Sequence, residues 1–122
     1  MQQQPGTIPD DLPRRGLFSE PVRVERLEVI QIEDADGDLV RVSFRCTVKD
    51  ADGRRCPALA VEVRLAGPER TAEGLGNADL LGQVTFRMTG PHGDYRCEVT
   101  NVAAGGLTFD RDTSELELAV TA

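Results

Sequence analysis

The strongest constraint in this chain is a two-residue period. Val40, Val42, Phe44, Cys46 and Val48 alternate with Arg41, Ser43, Arg45 and Thr47. Successive side chains of an extended backbone point to opposite faces, so such a run buries one face and wets the other. The alternation returns in Leu59–Leu65, Val84–Met88, Tyr95–Val99 and Leu116–Val120. No window of about 11 residues favours the helical period over it. Val22, Val24, Leu27, Val29, Ile30 and Ile32 follow the same pattern with a change of phase after Val24. That shift predicts one long bulged strand, or two strands separated by a kink. Asp34–Asp38, Asp50–Gly53, Gly67-Pro68 and Gly90–Gly93 carry turn chemistry between the runs. Residues 66–81, with Gly74, Gly76 and Asn77, predict a loop carrying a short edge strand. About seven short strands with turns between them describe an all-β, antiparallel, two-sheet sandwich. Alternation alone leaves a closed barrel as the alternative.

A chain of 122 residues has room for one domain. About two-thirds of its surface is buried on folding, so neither a disulfide nor a metal is required. The sandwich is expected over residues 22–122. Residues 1–21 read as a Pro-rich tail or extended arm, because Pro5, Pro9, Pro13 and Pro21 are too frequent for a helix and interrupt a paired strand. Leu17 and Phe18 are its only adjacent bulky residues. They belong either to a disordered leader or to an arm that docks on a neighbour or on its own sandwich.

The start, Met1-Gln2-Gln3-Gln4-Pro5-Gly6, has neither the basic region nor the apolar run of a signal peptide. No stretch approaches the roughly 18 apolar residues of a membrane span. The expectation is a protein without membrane insertion, either cytoplasmic or part of an assembly exported by another route. A net charge of −7 opposes binding to phosphate backbones and argues against nucleic acid as a partner.

The inventory for catalysis is short. His92, the only imidazole, sits in a turn, and no nucleophile-elbow sequence accompanies Ser19, Ser43 or Ser114. There is no phosphate-cradling glycine loop and no Trp to stack on sugars or bases. Asp34, Asp36 and Asp38 surround Gly37, but the spacing fails the EF-hand pattern, with Arg45 at the twelfth position. The Cys count is odd, there is no C-x-x-C, and no His lies near a Cys, which argues against zinc. Cys56, beside Pro57 after a turn, reads either as an exposed thiol able to link two chains or as an ordinary free thiol. No enzyme activity and no cofactor are expected.

Gly90 to Val102 resembles the E–F turn and F strand of an immunoglobulin domain. Tyr95 stands two residues before Cys97, as in a tyrosine corner. Cys46 would be the strand-B partner of Cys97, although the Trp of antibody domains is missing. A closer resemblance is to bacterial immunoglobulin-like (Big-type) domains. Thr47–Gly53, Pro57-Ala58 and Val61–Val63 are similar to their opening, and Gly82–Phe86 and Gly93–Tyr95 to their second half. The resemblance covers roughly residues 40–110, and it implies a structural or interaction module. On that topology Cys46 and Cys97 either bridge the sheets, adding about 3–4 kcal/mol, or remain buried thiols. The same topology gathers Asp50 and Asp52 with Asp110 and Asp112 at one pole, a candidate calcium cluster set against the bonding of each Asp to its own turn.

The expected function is therefore a non-catalytic immunoglobulin-like module that binds another protein. It would act in a homo- or hetero-assembly, as a small subunit docked through its N-terminal arm. The alternative is an accessory domain binding carbohydrate, or a ligand through calcium.

Overall fold

The computed structural model describes residues 20–103 and 108–122. The arm through residue 19, with Leu17 and Phe18, lies outside the described residues. The strands are β1 (Arg23–Ala35), β2 (Leu39–Lys49), β3 (Ala60–Ala66), β4 (Thr71–Asn77), β5 (Gln83–Gly90), β6 (Asp94–Ala103) and β7 (Glu117–Thr121). They form two antiparallel sheets, ordered β1-β2-β5 and β4-β3-β6-β7. The β1–β2, β3–β4 and β6–β7 connections stay within a sheet, whereas β2–β3, β4–β5 and β5–β6 cross between sheets. The sheets do not pair with each other, so the sandwich holds and the closed barrel does not.

The two-residue period sets the core. Val40, Val42, Phe44, Cys46 and Val48 of β2 are buried, as are Val84, Phe86 and Met88 of β5. From the other sheet come Val61, Val63 and Leu65 of β3 and Tyr95, Cys97 and Val99 of β6. Each such side chain contributes about 1.5–3 kcal/mol by leaving water. β1 is one strand rather than two, with register shifts between Val24 and Arg26 and between Val29 and Gln31. The first is the bulge anticipated from the phase change. Beyond the second, Ile32 returns to the inward side opposite Val42, but at the sheet's edge it stays partly exposed, as does Ile30.

The two open sides of the sandwich are closed by different means. On the β1/β7 side, segment 108–115 satisfies the bulged backbone of β1. The Val22 N–H donates to the Thr108 carbonyl at 2.8 Å, and Glu115 N–H to the Val24 carbonyl at 3.0 Å. Val24 N–H donates to Ser114 Oγ and Leu27 N–H to Glu115 Oε1, each at 3.0 Å. On the β4/β5 side, the inward positions of β4 are Ala72, Gly74 and Gly76, and their small size lets β4 settle onto Phe86 and Val84. A Cβ at Gly76 would lie 2.7 Å from Val84 Cγ2.

A Gly76→Ala substitution therefore forces β4 away from β5. It is expected to cost about 1–3 kcal/mol, lowering the melting temperature by roughly 4–8 °C per kcal/mol for a domain of this size. Thermal and urea unfolding against the wild type measure the shift.

Candidate functional site

The cysteines are free thiols, all of them buried. Cys46 on β2 and Cys97 on β6 project into the core from opposite sheets. Of the two alternatives the structure realises the buried thiols. Burial pushes both up to about 12, and for Cys46 the neighbouring Cys97 adds to the rise. For Cys56 the exposed, chain-linking alternative does not hold: it is a free thiol and fully buried. Its N–H donates to the Val48 carbonyl at 3.1 Å, and its thiol approaches the Arg54 carbonyl at 3.6 Å. The turn is thereby folded back on the end of β2 and carries the thiol inside. Burial, with the nearby Asp50 carboxylate, raises Cys56 to about 11. A thiol in this position is not available to link two chains.

The candidate calcium residues do not gather into a site. Asp50 is fully buried. Its Oδ1 accepts the N–H groups of Asp52 and Arg54 at 2.9 Å, and its Oδ2 accepts Arg54 Nε at 3.1 Å. Asp52 is ion-paired with Arg54 at 3.6 Å. Asp110 holds a second turn: Oδ1 accepts the Asp112 and Thr113 N–H groups, and Oδ2 the Thr113 hydroxyl at 2.9 Å. Among the described residues no group of three or more His, Cys, Asp or Glu side chains could hold a metal ion. The carboxylate oxygens of Asp50 and Asp110 serve their own turns.

His92 is exposed in the β5–β6 turn, with Nε2 3.7 Å from Asp38 Oδ1. Ser114 Oγ donates to the Asp110 carbonyl at 2.6 Å and belongs to the β1/β7 closure. Ser19 lies outside the described residues. Ser43 faces outward from β2, as its phase requires, yet it is buried and its Oγ has no hydrogen-bond partner. It stands opposite Gln31 and Arg87 on the flanking strands. A depression of about 510 Å³ over β6 and β7 holds one carboxylate, Asp94, which already accepts the Thr121 hydroxyl at 2.7 Å.

Tyr95 stands at the start of β6. The ring is buried, and the hydroxyl donates to the Pro91 carbonyl at 2.7 Å, tying the turn to the first residues of β6. A Cβ at Gly67 would stand 2.8 Å from the ring, and one at Gly90 2.6 Å from the hydroxyl oxygen, so both glycines make its slot.

The free strand edges distinguish one surface. β1 is bulged twice and carries Arg23, Glu25, Arg26, Glu28 and Glu33. Three of its carboxylates pair across to β2, with Glu33–Arg41 at 2.8 Å, Glu28–Arg45 at 3.2 Å and Glu25–Lys49 at 2.7 Å. β7 is short and its leading end is bonded to β1. At β5 the Gln83 carbonyl accepts the Asp79 N–H at 2.8 Å, and the Thr89 carbonyl accepts Arg70 at 3.5 Å. Among the described residues β4 has neither bulge nor cover, and its ion pair, Glu73–Arg64, is long at 3.9 Å. It pairs on one side only, keeps regular register with β3, and carries one charge, Glu73. Leu75 on its outer face is 69% exposed, and the turn that follows adds Leu80 and Leu81, exposed by 88% and 51%. Natural sheets blunt an edge with charge, bulges or cover, and an unprotected apolar edge is a template for another strand. The sequence of residues 66–81 predicts an edge strand here. Its lack of protection emerges only by comparison with the other three edges.

Compared with protein-family models, with curated proteins and with solved structures, the chain matches none.

Tyr95→Phe removes the hydroxyl and leaves the Pro91 carbonyl without its donor. The expected loss is about 1–2 kcal/mol, read by urea unfolding. The thiols give a second test. The thiolate is the reactive form, and raised values keep all three neutral at pH 8, so the folded protein should leave a thiol reagent unconsumed at that pH while the denatured protein consumes three equivalents. A rapidly reacting thiol in the folded state would contradict the burial of Cys56.

Proposed function

We propose that this protein is a non-catalytic immunoglobulin-like module of the bacterial type, which binds another protein strand through the β4 edge and serves as a small subunit of an assembly. The observation that carries this reading is the unprotected β4 edge flanked by Leu75, Leu80 and Leu81. Backbone groups on such an edge supply affinity for an incoming strand, and the side chains beside it supply selectivity. The immunoglobulin-like assignment is supported by the strand order β1-β2-β5 over β4-β3-β6-β7. In immunoglobulin lettering this order is A-B-E over C′-C-F-G. The Tyr95–Pro91 hydrogen bond at the turn between the fifth and sixth strands supports it too.

The test is affinity purification of the C-terminally tagged full chain from its source cells, alongside Leu75→Lys. Leu75 is exposed, so the charge leaves the core alone. The expected result is a stoichiometric protein partner with the wild type that is depleted about tenfold or more with the variant, the scale of one interface anchor. Equal recovery with both chains, or no stoichiometric protein with either, a second copy of this chain included, would remove the β4 edge as the binding surface.

A further inference from the structure

We infer that the strand received by β4 is the arm of a second copy of this chain, with residues 14–19 adding to its free edge. This inference rests on the reading of β4 as a binding edge and names its occupant.

The first support is reach. Glu20 is held on the β1/β7 side, where Thr108 Oγ1 lies 3.4 Å from its carboxylate and Val22 pairs with Phe109. β1 faces β7 and β4 faces β5 across the sandwich, so β4 occupies the opposite side. Crossing from β1 to a position beyond β4 spans about four strand spacings, roughly 19 Å. The links from Glu20 back to Leu17 reach at most roughly 11 Å. A chain cannot lay its own Leu17 and Phe18 along its own β4. A second copy meets no such limit.

The second support is ladder chemistry. An added strand needs N–H donors, and proline has none. Arg14-Arg15-Gly16-Leu17-Phe18-Ser19, with Glu20, is the longest proline-free stretch before Pro21. It also holds the arm's adjacent bulky pair. The third support is charge. On the outer face of the β4 sheet, Glu62, Glu73, Glu98, Glu117 and Asp94 outnumber Arg64 and Arg96. In an extended strand Arg15 shares the face of Leu17, as Glu73 shares that of Leu75 on β4. An arm that sets Leu17 beside Leu75 therefore turns a cation toward this acidic face in either strand direction. Each copy carries one arm and one edge, so exchange gives a closed pair or a growing chain.

The experiment is sedimentation velocity on full-length protein over a concentration series, with two complementary variants. Leu75→Lys spoils the edge and keeps the arm. The double variant Leu17→Asp with Phe18→Asp spoils the arm and keeps the edge. The wild type is expected to self-associate, and each variant alone to do so roughly thirtyfold more weakly. An equimolar mixture of the two variants should form a heterodimer, because one intact arm meets one intact edge. Circular dichroism and melting verify that each variant is folded. Leu80→Glu is the second edge variant if Leu75→Lys unfolds. A wild type that stays monomeric at every concentration would overturn arm exchange, as would variants that self-associate like the wild type or a mixture without heterodimer. If arm exchange fails while partner capture still depends on Leu75, the binding edge stands and its occupant is a foreign strand. If capture is also independent of Leu75, both readings fall.

Discussion

A two-sheet sandwich has four edge strands, and each presents N–H and C=O groups that no ladder within its sheet satisfies. That constraint organises the molecule. At the start of β1, at Val22, Val24 and Leu27, free groups are taken up by segment 108–115 through Thr108, Ser114 and Glu115. At β5, Asp79 and Arg70 occupy carbonyls near the two ends, and β7 is short. Among the described residues β4 is the longer of the two edges, β4 and β7, left to solvent without bulge or cover, and it is the one flanked by exposed leucines. The distribution of hydrogen bonds, rather than any clustering of reactive groups, singles out the surface on which a functional reading can be built.

The groups with chemical potential are spent on holding turns. Asp50 is buried at the end of β2 and collects three hydrogen bonds within residues 50–54. Asp110 does the same for the turn that supports β1. Tyr95 fixes the β5–β6 turn through Pro91. A carboxylate saturated by its own backbone offers few oxygens to a cation, and a thiol raised by burial is a poor nucleophile at neutral pH. The charges along β1 and β2 form cross-strand pairs, each worth about 0–1 kcal/mol. They matter more as protection against pairing at that edge than as stabilisation.

Much of the architecture was legible in the sequence because a period of two is a direct physical imprint of a half-buried strand. The inward sets of β2, β3, β5 and β6, the bulge after Val24 and the edge strand near residue 74 follow from local pattern and turn chemistry, whereas the Tyr95 contact is what the immunoglobulin resemblance implies. The sequence left Cys56 open between two readings because its burial depends on a bond from its own N–H to Val48, a tertiary return of the turn that adjacency to Pro57 does not encode. The calcium cluster failed for a related reason. Sequence brings the four aspartates to turns, but whether their oxygens face one another or their own backbones is decided by turn geometry. The second bulge in β1 also has a trace in the sequence, since the apolar phase of Leu27 and Val29 passes to Ile30 and Ile32 where the register shifts again.

The composition of β4 reflects a conflict between its two faces. Closing the sandwich beside β5 needs inward residues no larger than Ala72, Gly74 and Gly76, because Phe86 and Val84 occupy the space. Glycine contributes no apolar area and weakens a strand by about 0.5–1 kcal/mol relative to alanine, so β4 gains little stability from its own burial. On the outer face a polar residue at position 75 would have blunted the edge at no cost to packing, since that side chain touches no part of the core. Leucine stands there instead, and Leu80 and Leu81 extend the apolar surface into the next turn. Weak intrinsic strand stability and an apolar outer face are individually unfavourable in an isolated domain. Both are offset if a further strand joins β4, because pairing supplies the missing ladder and cover for the leucines in a single step.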